Sequence, residues 1–133
     1  MHIEGKKVSI NASKKKVYEF LNDFNNYENL MPEQIVNWKS DTDACSFTIK
    51  GMADLSLKFE ERTPFSALRI IPEGKAPFKF SLNVKLVEDS LNEQKTIGGV
   101  DVEADLNPML AMMAKRPLEN LVNVMAENLN KAF

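Results

Sequence analysis

The stretch Phe78–Val87, FKFSLNVKLV, decides the fold. Phe78, Phe80, Leu82, Val84 and Leu86 alternate with Lys79, Ser81, Asn83 and Lys85. A period of two sends the sets to opposite faces of a strand, one buried and one wet, the pattern of antiparallel sheets. The period continues upstream in QIVNWK (34–39), CSFTIKG (45–51), MADLSLKFEER (52–62) and ALRII (67–71). The connections KG, TPFS, PEGKAP and EDSLNEQ are short and hold Gly, Pro, Asn and Ser, so the runs are joined as hairpins. A last strand is expected from Thr96 to Leu106, with Val100, Val102, Ala104 and Leu106 inward. Gly98 and Gly99 fall at its start, where a bulge or bend would curve the sheet.

Ahead of Pro32 the period is helical. GKKVSI (5–10) reads as a first strand, and Ser13 is placed to cap the helix that follows. Val17, Phe20, Leu21 and Phe24 fall on one apolar stripe. Asp23 to Asn26 interrupt it, and a second short helix carrying Tyr27, Leu30 and Met31 ends at Pro32. At the other end Asn107 caps, and Pro108 opens, a long final helix. The order of elements predicts an α+β chain with one helix laid on a curved antiparallel sheet of about seven strands.

On a helical wheel Leu110, Ala114, Pro117, Leu118, Leu121, Val124, Met125, Leu129 and Ala132 share an apolar face. Met113 sits on its edge, Met109 lies beyond it, and Met112 points to the polar side. Pro117 cannot donate to the Met113 carbonyl and disfavours helical geometry at Arg116. A kink or restart there would rotate residues 108–114, so that the three methionines cap a cavity or face a partner.

The bulk numbers narrow the function. A length of 133 residues suits one domain, residues 1–133, large enough for a substantial core. With 17 basic and 19 acidic residues there is no charge excess to recruit nucleic acid. The single Cys45 excludes an internal disulfide and fits a reducing compartment. MHIEGKKVSI lacks a signal peptide's apolar run and no stretch has membrane-spanning length, so a cytoplasmic protein is expected.

Catalytic chemistry finds little support in the pattern. The inward strand positions Phe47, Ile49, Leu55, Leu57, Phe59, Phe78, Phe80, Leu82, Val84, Val100 and Val102 cannot move a proton. Asp54, Lys58, Glu60, Asp101, Glu103 and Asp105 alternate outward. His2 is the only histidine and has no metal-ligand spacing around it. Cys45 shares the parity of Phe47 and Ile49 and reads as a small buried hydrophobe. The glycines are scattered over turns and one bulge, with no phosphate loop. Lys6, Lys7, Lys14, Lys15 and Lys16 make a basic cluster that reads first as a solvated face and allows transient contact with an anionic membrane surface.

The segment INASKKKVYEFLNDFNNYENLMP (10–32) resembles the opening of the START-related, birch-pollen-allergen-like superfamily, also called the polyketide cyclase/dehydrase and lipid transport (SRPBCC) superfamily. Ala12, Ser13, Val17, Tyr18, Asp23, Tyr27 and Pro32 carry the likeness, which extends in element order over the whole chain. The resemblance implies a helix-grip fold, a sheet wrapped around the C-terminal helix with an apolar cavity between them. It implies binding or carriage of a hydrophobic small molecule or lipid. The lack of an inward polar set or of metal-ligand spacing leads to the expectation that this is non-catalytic, with no cofactor or metal. The expected ligand-binding walls are Trp38, Phe47, Ile49, Leu55, Leu57, Phe59, Phe78, Phe80 and Leu82, faced by Leu110, Met113, Leu118, Leu121 and Met125, with Met31 near the mouth. Two alternatives stand beside it. A polyketide cyclase or dehydrase would need an inward polar pair drawn from residues such as His2, Tyr18, Tyr27, Thr48 or Arg69. A chaperone-activator-like interaction module would show a filled centre and an exposed apolar patch.

Overall fold

A computed structural model describes residues 1–133. The alternating runs become strands β1 (His2–Glu4), β2 (Val8–Ile10), β3 (Ile35–Ser40), β4 (Ala44–Ile49), β5 (Ala53–Thr63), β6 (Ala67–Pro72), β7 (Lys79–Asp89) and β8 (Asn92–Asp105). They form one antiparallel sheet in the order β1-β8-β7-β6-β5-β4-β3, with β2 also paired to β8. Two helices, α1 (Lys14–Leu21) and α2 (Pro108–Lys131), complete the chain with a pair of 3-10 turns, Phe24–Asn26 and Glu28–Leu30. This is the helix-grip arrangement, an α+β sheet with a long C-terminal helix across it.

Three boundaries differ from the periodicity. The expected first strand is split in two at Gly5, whose amide still donates to the Val100 carbonyl at 3.0 Å. A Cβ at Gly5 would lie 2.5 Å from that oxygen and 3.0 Å from Cβ of Val122 on α2, so only glycine lets the helix approach here. The last strand starts at Asn92 instead of Thr96, leaving Gly98 and Gly99 in mid-strand opposite Leu86 and Lys85. A Cβ at Gly98 would come within 2.8 Å of Ile10 Cδ1, so that glycine serves close packing beneath α2. The expected second short helix is the pair of 3-10 turns. Asp23 caps the first by accepting from the Asn25 amide, the local bonding by which Asp and Asn compete with a regular helix.

Both true helices are capped as expected. Ser13 Oγ accepts from the Lys16 amide at 3.3 Å, and Asn107 Oδ1 accepts from the Leu110 amide at 2.9 Å. Val17, Leu21 and Phe24 are fully buried against the sheet. The α2 helix runs unbroken through Pro117 and buries Ala114, Leu118, Leu121, Val122, Met125, Ala126 and Leu129. Its contact face is therefore turned toward Val122 and Ala126, leaving Leu110, Pro117 and Val124 half-buried and Ala132 exposed. No part of Pro108–Ala114 is swung over the sheet. Met109, Met112 and Met113 are 74, 84 and 64 % exposed, which overturns their expected role as a lid.

Candidate binding cavity

The inner faces of β4, β5, β7 and β8 meet the middle of α2 around a cavity lined by twelve apolar residues. Phe47 and Ile49 come from β4, Leu55 and Leu57 from β5, Phe80 and Leu82 from β7, and Val102 from β8. Phe78 stands just ahead of β7, Met31 just after the second 3-10 turn, and Leu118, Leu121 and Met125 close it from α2. No polar atom lines it. The side chains nearly meet: about 20 Å³ remains for the centre of a water-sized sphere. Ligand pockets commonly measure about 300–1,000 Å³, so any organic occupant must push side chains apart. Met31, Phe78 and Phe80 are only half-buried and are the residues with room to move outward.

Eleven of the fifteen residues expected to form the walls are among the twelve. Trp38, Phe59, Leu110 and Met113 are not. At Phe59 the pairing of β5 with β6 shifts register, and the ring stacks on Phe24 at 4.2 Å, with the Arg62 guanidinium 4.4 Å from its centroid. Trp38 lies at a bulge in β3, where Asn37 takes φ 58° and two residues oppose one on β4. Its indole stacks on Phe47 at 5.3 Å, one ring beyond the lining. Leu110 is in the first turn of α2, ahead of the cavity, and Met113 faces solvent. Val102 was missing from the expected walls. Its alternation marked it as inward, but only the sheet order sets it beside Leu82.

The groups capable of acid–base chemistry lie elsewhere. His2 is exposed and pairs with Glu103 at 3.4 Å, and Arg69 donates to Glu60 at 2.8 Å. Thr48 Oγ1 donates to Asp54 at 2.6 Å. Tyr27 is fully buried, donates its hydroxyl to the Leu21 carbonyl at 2.7 Å, and is held protonated by that burial. Tyr18 packs edge-on against Phe65. Burial pushes the Cys45 thiol up to about 12, a neutral and unreactive state at ordinary pH. In the basic cluster Lys6 pairs with Glu127 and Lys14 donates to Ser66, which leaves Lys7, Lys15 and Lys16 outward. Wider grooves on the outer surface, such as that between Arg69, Lys79, Glu103 and Asp105, are open and lined by charged side chains. No helix is long and apolar enough to cross a membrane.

A sheet gripping a C-terminal helix over an apolar centre is the START-related fold, and solved structures share it along nearly the whole chain. A START superfamily protein from Mycobacterium smegmatis is 17 % identical, with 99 % of each chain covered and a TM-score of 0.67. The di-domain ARO/CYC protein BexL of the BE-7585A biosynthetic pathway is 12 % identical at a TM-score of 0.70, with 98 % of this chain and 45 % of that one covered. The Aha1 dimer from Colwellia psychrerythraea is 15 % identical at 0.61, over 99 % of this chain and 95 % of that one. No protein-family model and no curated protein matches the sequence. At these identities the likeness is one of fold.

Proposed function

We propose that this chain binds and carries a small hydrophobic molecule between its sheet and α2, without catalysing a reaction on it. The observation that carries this reading is the composition of the cavity wall, twelve apolar side chains and no polar atom. Such a wall gains roughly 25 cal/mol for each Å² of apolar ligand surface removed from water, before the cost of ordering. It offers nothing to stabilise a developing charge, which sets carriage ahead of the cyclase chemistry named for BexL. Because the centre is nearly closed, entry proceeds by outward movement of Met31, Phe78 and Phe80, and the preferred ligand is slender or flat. Methionine's flexibility makes Met31 and Met125 the adaptable parts of the wall.

Native mass spectrometry of the purified protein, followed by organic extraction, tests this directly. A species heavier than the chain by the mass of one apolar molecule supports carriage. A protein that stays empty when offered fatty acids, sterols and quinones counts against it.

Docking of a partner protein, as in a chaperone activator, is the second reading. It draws on the nearly filled centre and on exposed Met109, Met112 and Met113. Replacing all three with glutamine would abolish a partner interaction while leaving ligand uptake intact.

A further inference from the structure

The Nε1–H of Trp38 is buried and has no acceptor in the protein. Indole is a donor only, and a buried donor left unpaired loses its hydration for no return. The local backbone brings this group inward. Between the pairs Val36–Thr48 and Lys39–Ser46, two β3 residues oppose the single residue Phe47, and Asn37 takes the left-handed φ of 58°. Asn tolerates that conformation at low cost, and bulges of this kind re-aim a side chain. The result is the indole stacked on Phe47 at an interplanar angle of 11°, while Phe47 itself lines the cavity.

We infer that Trp38 Nε1–H is the one directional contact of the ligand site, and that the ligand is a neutral apolar molecule bearing a carbonyl oxygen at its β3–β4 end. An acceptor is required because the indole only donates. Neutrality follows from the surroundings: no cation lines the cavity, and a carboxylate there would lose its hydration against a single N–H. The indole lies one ring beyond the lining, so the contact requires Phe47 to give way when the cavity opens. This assignment rests on the cavity being the ligand site.

The test compares methyl nonyl ketone with the isosteric alkene that carries =CH2 in place of the carbonyl oxygen. Affinities are measured by calorimetry for the natural chain and for Trp38→Phe, which keeps a ring on Phe47 and removes the donor. One net hydrogen bond makes the ketone-to-alkene affinity ratio roughly fivefold higher in the natural chain than in the variant. Trp38 is the only tryptophan, so a second readout needs no variant. In a 15N-labelled sample the single indole N–H resonance moves downfield with ketone and stays nearly in place with alkene. Equal ratios in the two proteins, or equal shifts with the two probes, overturn the assignment while leaving hydrophobic binding intact. If neither probe binds, the assignment of a neutral carbonyl ligand falls, and carriage itself is decided by the extraction test above.

Discussion

Truncating Met125 to alanine separates the cavity's contribution to stability from its capacity to bind. Met125 is 1 % exposed and reaches from α2 into a wall made only of apolar side chains. Met→Ala substitutions in cores cost about 2–5 kcal/mol, the loss growing with the void that remains. Here the void adds to space already present under a helix also anchored by Leu118, Val122 and Leu129, so collapse is restricted. A loss of about 3 kcal/mol is expected, and a fall in Tm of roughly 10 °C for a chain this size. An apolar void of this kind stays dry and accepts a small hydrocarbon. Benzene at ten times its Kd should restore about 1.4 kcal/mol to the variant and much less to the natural chain. Urea denaturation with and without benzene measures both quantities. A loss below about 1 kcal/mol would mean the wall has no unrelieved void beside Met125. A full loss with no benzene rescue would mean that a void remains but does not open to an apolar guest, and the expansion argument for ligand entry would fail.

Three further outcomes follow from single contacts. Gly5→Ala should destabilise the chain by about 3 kcal/mol or more in urea, because the new Cβ meets a backbone oxygen at 2.5 Å, while Gly99→Ala, whose nearest contact is 3.4 Å, should cost well under half as much. Asn107→Ala removes the cap from the Leu110 amide and should cost about 1 kcal/mol, with faster hydrogen exchange confined to the first turns of α2. Cys45 should resist alkylation in the folded protein and react once urea unfolds it. Its folded pKa of about 12 lies above the ordinary 9.0, so its stabilising effect is complete below pH 9 and fades as pH climbs toward 12, with a slope of at most about 1.4 kcal/mol per pH unit. A Cys45→Ala variant should lack that alkaline component, which denaturation at several pH values would reveal.

The sequence by itself determined the element order, the caps at Ser13 and Asn107, and the inward parity of the strand residues that line the cavity. These depend on interactions within a few positions. An alternating run sorts its own side chains onto two faces, and a capping oxygen meets an amide three residues on. The resemblance carried by residues 10–32 supplied the grip of sheet on helix, which periodicity leaves open. Tertiary structure decided whatever depends on how segments meet. Phe59 keeps the inward parity of Leu57 but lies further along β5, where it packs on Phe24 instead of the cavity. The β3 bulge re-aimed Trp38, since a bulge inserts one residue without any signature in the hydrophobic pattern. The position of α2 over Gly5 and Gly98 fixed which stripe of the helix is buried, and left Met109, Met112 and Met113 in solvent. The room at the centre was likewise set by opposing side chains from distant strands. Cavity size is a small difference between the span of a curved sheet and the reach of the side chains across it, and no single stretch of sequence contains that difference.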